Sequence, residues 1–74
     1  MEYLGEQEFL FAFGKNLRRL RKSKGFTQEQ LANEIDIEIS QISRIERGVI
    51  NTSISNVNLI AKALQCPVSE LFRF

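Results

Sequence analysis

The chain has 74 residues, 43% hydrophobic and 26% charged, with a formal net charge of +1, which is typical of one small globular domain. It has one cysteine and no histidine, which excludes an intrachain disulfide, a Cys/His zinc site and a histidine general base. No apolar run approaches the ~20 residues of a membrane helix. The first residues are acidic, whereas a signal peptide begins with basic residues. We therefore expect a cytoplasmic protein with no cofactor, metal or membrane partner.

Positive charge is concentrated in one decapeptide. Residues 15–24, KNLRRLRKSK, carry six bases and no acids, whereas residues 1–14 carry three acids and no bases. Taken alone, the run fits either a solvated helix end whose cations match the helix dipole or a surface for an anionic partner.

Apolar spacing predicts a first helix from about Glu8 to Ser23, which Gly25 ends. Its inner face is formed by Leu10, Phe13, Leu17 and Leu20. We assign residues 1–8 to an N-terminal extension and residues 9–74 to the domain. The aromatic residues Phe9, Phe11 and Phe13 fit two interpretations, a thicker core or part of a protein contact surface.

Two short helices joined by a tight turn are predicted next. Thr27 is a good N-cap and Gln30 can complete its capping box, so a second helix runs from there to about Ile35. Its inner face is formed by Leu31, Ala32 and Ile35. Glu38 is predicted to cap a third helix that continues to about Arg47 and ends at Gly48.

A fourth helix is predicted from about Ser55 to Leu64, followed by a break at Pro67 and a last helical turn from Val68 to about Phe72. Its inward residues are Val57, Ile60, Ala61 and Leu64. The lone Cys66 lies among apolar residues, as a small buried hydrophobe would. The fold class is therefore all-α, with five short helices.

The third helix divides by angle into two faces at 100° per residue. Ile42 and Ile45 form the core stripe. The opposite arc contains Ser40, Ser43, Arg44 and Arg47, with Ile39 and Gln41 at its margins. Arginine can donate two hydrogen bonds to guanine, serine and glutamine can bond base edges, and an apolar side chain can contact the thymine methyl. A helix-turn-helix bearing this arc favours binding to double-stranded DNA.

Residues 28–48, QEQLANEIDIEISQISRIERG, resemble the helix-turn-helix of the Cro/repressor-type (XRE) regulators. The matching positions are Gln28, Glu29, Leu31, Ala32, Ile37, Ile42, Ser43, Ile45, Glu46 and Gly48. The resemblance extends over about residues 10–72, implies a five-helix lambda-repressor-like domain, and includes the short restriction-modification controller proteins. Three positions depart from the pattern. Asp36 replaces the turn glycine, and because aspartate tolerates the left-handed conformation better than most residues, we expect the turn to survive. Glu38 replaces a Ser or Thr cap, and Ile39 replaces a polar residue.

The resemblance also implies roles for individual residues. The base-reading positions are Ile39, Ser40, Gln41 and Arg44. The phosphate-contacting positions are Gln28, Ser43, Arg47, Asn51, Thr52, Lys22 and Lys24. Arg21 and Glu46 correspond to a buried ion pair. The resemblance implies a homodimer on a palindromic operator, and we place its interface at Leu71, Phe72 and Phe74. The alternative is a protein-interaction module, such as an antitoxin-like domain that grips a partner through the Ile39 face.

Overall fold

The computed structural model describes residues 4–74, and over these residues it contains helices and no β-strand. The elements are α1 (Glu6–Ser23), α2 (Gln28–Glu34), α3 (Ile39–Glu46), α4 (Ile54–Leu64) and a 3₁₀ helix (Val68–Phe72). The all-α prediction is confirmed. The count of five α-helices is slightly wrong, because the last element is a short 3₁₀ helix whose Glu70 N–H donates to the Pro67 carbonyl.

Side chains at the helix starts explain where the helices begin. Thr27 Oγ1 accepts from the Gln30 N–H at 3.0 Å, and Gln30 Oε1 accepts from the Thr27 N–H at 2.9 Å, so the predicted capping box is present. Glu38 occupies the N-cap position of α3, but its side chain makes no capping hydrogen bond. The prediction that Glu38 caps α3 is therefore wrong in its chemistry, although the boundary is right.

Two helices, α1 and α4, begin one or two residues before the predicted start, and α2 and α3 end one residue before the predicted end. α1 begins at Glu6 because the Glu8 carboxylate accepts from the Gly5 N–H at 3.3 Å, so residues 6–8 of the predicted extension are helical. Residues 1–3 of that extension lie outside the described part. α4 begins after Ser53, whose hydroxyl accepts from the Asn56 N–H at 3.0 Å.

The turn between α2 and α3 tolerates its unusual residue. Asp36 has a φ of 57°, in the left-handed region, where Asp is accommodated better than most residues. The Ile37 N–H donates to the Ala32 carbonyl at 3.0 Å and closes the end of α2. The expectation that aspartate preserves this turn is therefore confirmed.

The core lies between α1, the helix-turn-helix and α4. It contains the predicted inward residues Phe13, Leu17, Leu20, Leu31, Ala32, Ile35, Ile42, Ile45, Val57, Ile60, Ala61 and Leu64, together with Leu71. Leu10 is half-buried, whereas Phe9 and Phe11 are 40% and 55% exposed. Only Phe13 of the three N-terminal phenylalanines therefore belongs to the core.

Two residues of α1 set its distance from the rest of the domain. A Cβ atom on Gly14 would collide with the carbonyl oxygens of Ile45 and Glu46, so glycine lets α1 cross the end of α3 closely. The buried Asn16 side chain donates to the Glu70 and Leu71 carbonyl oxygens at 2.8 and 2.9 Å. The 3₁₀ helix is thereby fastened to α1.

Candidate nucleic-acid interface

The outward face of α3 carries the four predicted base-reading residues. Ile39 is 46% exposed, and Ser40, Gln41 and Arg44 are also exposed. On the opposite side, Ile42 and Ile45 are 0% and 2% exposed. Because the core holds α3 by its inner isoleucines, the polar arc is presented outward as one rigid surface.

The predicted phosphate-contacting residues are distributed around this face. Arg47, Asn51, Lys22 and Lys24 are exposed, and Ser43 is half-buried. Thr52 is half-buried and its hydroxyl accepts from the Asn56 amide at 3.2 Å. Gln28 is already engaged, since its Nε2 donates to Glu46 Oε1 at 3.1 Å.

A buried polar network joins α1, α2 and α3 behind the interface. The Arg21 guanidinium donates through Nε and Nη2 to the two carboxylate oxygens of Glu46, and through Nη1 to the Phe26 carbonyl at 2.7 Å. The side chains of Arg21 and Glu46 are 7% and 3% exposed. Sequence reasoning paired these two residues but did not foresee that Gln28 and the Phe26 carbonyl complete the network.

Charge is unevenly divided between the helix-turn-helix and α1. Residues 27–52 carry five acids and two bases, and four of the acids, Glu29, Glu34, Asp36 and Glu38, are exposed. Of the six bases in residues 15–24, all but Arg21 are exposed. Exposed positive charge is therefore concentrated in residues 15–24 and not in the helix-turn-helix.

The predicted dimer residues fall into different environments. Leu71 is 0% exposed, so it belongs to the core of the monomer, and its assignment to an interface is wrong. Phe72 is 42% exposed and lies beside Ile54 and Val68, which are 87% and 40% exposed. We call Ile54, Val68 and Phe72 the apolar face. Phe74 packs edge-on against Phe9, with ring centroids 5.6 Å apart, and lines a different groove.

The apolar face borders a cavity of about 180 Å³. Phe13 and Phe72, whose ring centroids are 5.1 Å apart, form part of its wall together with Ile54. Two polar side chains of the α3–α4 loop, Asn51 and Thr52, also line it. The cavity therefore lies directly behind two of the predicted phosphate contacts.

Possible metal ligands, the single thiol and the helix lengths complete the description of residues 4–74. Between residues 4 and 74, no three Cys, Asp or Glu side chains come together as a metal site would require. Burial raises the pKa of the Cys66 thiol, Lys24 acts in the opposite direction, and Glu70 reinforces the rise. None of the helices described has the length and apolar character that crossing a bilayer requires.

Comparison with known proteins identifies the class of this domain. The helix-turn-helix family model HTH_3 matches residues 17–71. The control protein C.BamHI of Bacillus amyloliquefaciens is 43% identical over 63 residues, which cover 84% of this chain and 78% of that protein. The crystal structure of the restriction-modification controller protein C.AhdI from Aeromonas hydrophila has a TM-score of 0.83 at 41% identity, covering 85% of this chain and 96% of its own.

A second related structure contains DNA. The controller protein C.Esp1396I, solved as a tetramer in complex with its natural 35 base-pair operator, has a TM-score of 0.77 at 33% identity and covers 86% of this chain and 84% of its own. The sequence match, the fold and the exposed polar arc of α3 all indicate the same family. The chain therefore belongs to the HTH_3 family of helix-turn-helix proteins and is a DNA-binding transcriptional regulator of the XRE type, not an enzyme.

Proposed function

We propose that this protein is a controller-type regulator that binds a palindromic operator as a homodimer, with α3 of each copy in the major groove. The observation that carries the proposal is the polar arc of α3, which is exposed while the opposite side of the same helix is buried. The similarity to controller proteins over most of both chains supports this class. We propose that the protein acts in the cytoplasm, on the nucleoid.

The proposed base readers differ in what they can recognise. Arg44 can donate two hydrogen bonds to O6 and N7 of guanine and is the main determinant of sequence. Gln41 can bond adenine, and Ser40 can donate or accept. Ile39 has only van der Waals contact to offer, which suits a thymine methyl group.

The proposed phosphate contacts position the helix without reading sequence. They come from Ser43, Arg47, Asn51, Thr52, Lys22 and Lys24. Gln28 can donate fewer hydrogen bonds to a phosphate than the resemblance implies. One N–H of its amide is directed to Glu46, so its second N–H remains for a phosphate.

The apolar face supports the dimer. Ile54 is the most exposed of the large apolar side chains, and it adjoins Val68, Phe72 and the cavity behind them. In a two-fold contact the same surface is used by both copies, so one apolar face would cover the other. The interface that we propose therefore uses Phe72 with Ile54 and Val68 in place of the buried Leu71.

Selection of bound duplexes from a random library tests the proposal. We expect a palindrome whose half-sites are about one helical turn apart. Sedimentation of the free protein should show a dimer that Ile54→Ser weakens, whereas Leu59→Ser, at another exposed apolar residue of α4, should leave it intact. Selection of a single, non-repeated site would refute the palindrome. Failure to bind any duplex at low salt would favour the protein-interaction alternative, since phosphate contacts alone give salt-dependent binding to random DNA.

A further inference from the structure

A groove outside the proposed DNA contacts lies along the outer side of α1. Its volume is about 560 Å³, and Phe11, Lys15, Arg19, Arg73 and Phe74 line it above Ala12. At 100° per residue, Lys15 and Arg19 lie about 100° and 140° around the helix from Gly14, which abuts α3. None of the residues that line the groove is among the proposed base-reading or phosphate-contacting residues.

The groove is cationic. Neither Lys15 nor Arg19 takes part in the two ion pairs found within residues 4–74. Arg19 is instead held by the side-chain oxygen of the buried Asn16, which accepts from its Nη2 at 2.8 Å. This bond orients the Arg19 guanidinium without neutralising its charge, so the other N–H groups of Arg19 remain available to donate to a carboxylate.

The same groove is also apolar at its rim. Phe11 and Phe74 are 55% and 51% exposed, and Lys15 Nζ lies 5.4 Å from the centroid of the Phe11 ring. An apolar side chain placed between the two rings would bury surface that water now covers. The occupant must therefore combine negative charge with an apolar group.

We propose that this groove binds an acidic segment of another protein that carries an aromatic or aliphatic side chain, independently of the DNA contact of α3. Carboxylates of the segment would pair with Lys15 and Arg19, and its apolar side chain would lie between Phe11 and Phe74. Duplex DNA fits less well, because its bases are stacked inside the helix and would leave both rings in water.

The test uses the full-length protein and a short synthetic peptide in which aspartates flank one phenylalanine. Fluorescence anisotropy should show that the peptide binds, and that Lys15→Gln and Phe11→Ala each weaken binding about fivefold or more. Lys62→Gln is the matched control, because it removes one exposed cation from α4, outside the groove. It should leave peptide binding unchanged.

Further peptides and a DNA competitor decide between occupants. Replacing the peptide's phenylalanine by serine should weaken binding as Phe11→Ala does, and saturating duplex should not displace the peptide. Equal binding of the two peptides, or equal losses in Lys15→Gln and Lys62→Gln, would reduce the effect to general attraction by charge and overturn the proposal. Tighter binding of oligothymidylate with the same dependence on Lys15 would assign the groove to single-stranded nucleic acid instead. Circular dichroism checks that each variant folds, and Arg19→Gln should weaken peptide binding as Lys15→Gln does.

Discussion

Removal of the Glu46 carboxylate should destabilise the fold more than removal of any exposed acid. Glu46→Ala eliminates two hydrogen bonds from Arg21 and one from Gln28. Arg21, whose side chain is only 7% exposed, is left with the Phe26 carbonyl. Because a cation would remain where water has little access, the expected loss is ~3–5 kcal/mol. The whole free energy of unfolding of a chain this long is roughly 4–11 kcal/mol.

Urea unfolding followed by circular dichroism measures this loss. We expect the extrapolated free energy of unfolding to fall by ~3–5 kcal/mol and the melting temperature by roughly 12 °C or more. Glu70→Ala is the matched control. It breaks the ion pair with Arg73, whose side chain is 77% exposed, and should cost less than ~1 kcal/mol because water screens that pair.

A second variant separates charge burial from packing. Combining Arg21→Met with Glu46→Leu removes both buried charges and should recover much of the stability that Glu46→Ala loses. If Glu46→Ala unfolds within ~1 kcal/mol of the wild type, the buried network does not hold the three helices together, and the reasoning fails.

Three further predictions concern α3 and the thiol. Arg44→Ala should cost ~1–3 kcal/mol of binding free energy on the selected operator and relax specificity at one base position. Arg47→Ala should weaken binding to specific and random duplexes alike. Equal behaviour of the two variants would reject the separation of a base-reading Arg44 from a phosphate-contacting Arg47. Glu38→Ser should give α3 the side-chain cap that it lacks and stabilise the fold by ~0.5–1 kcal/mol. It should also tighten DNA binding, because it removes an acid. An unchanged urea midpoint would contradict the capping argument. Burial raises the pKa of the Cys66 thiol, so a smaller fraction of the thiol is thiolate at mildly alkaline pH. Cys66 should therefore react with iodoacetamide more slowly than a small free thiol, and equal rates would refute this.

The inner faces of α1 to α4 were predictable because each depends on spacing within one helix. An α-helix repeats every 3.6 residues, so the separation of Ile42 from Ile45 already indicates which side is buried. The capping box of Thr27 and Gln30 and the left-handed Asp36 are likewise local, since each needs only neighbouring residues. These features do not depend on how the helices cross.

The misassignment of Leu71 concerns a contact between distant parts of the chain. Leu71 was assigned to an interface, but Asn16 fastens the 3₁₀ helix so that this leucine points into the core. A five-residue helix is too short for periodicity to reveal its inner side. Gly14 gave no local signal either, because its importance comes from the close approach of the α3 backbone. A glycine and an asparagine inside a confidently predicted helix are the residues that could have raised the question.

The distribution of charge has a consequence for how a regulator of this kind discriminates between sequences. Attraction to phosphates supplies nearly all of the affinity for random DNA and is shared by every site. In the docking that we propose, Glu38 at the start of α3 opposes that attraction, while the exposed Lys22, Lys24 and Arg47 supply it. Because Glu38 would repel every duplex alike, it lowers random and operator binding by the same factor, whereas Arg44 gains energy only from the correct base and so sets the ratio between them. In the docking that we propose, an acid at the start of α3 therefore costs affinity but leaves selectivity unchanged.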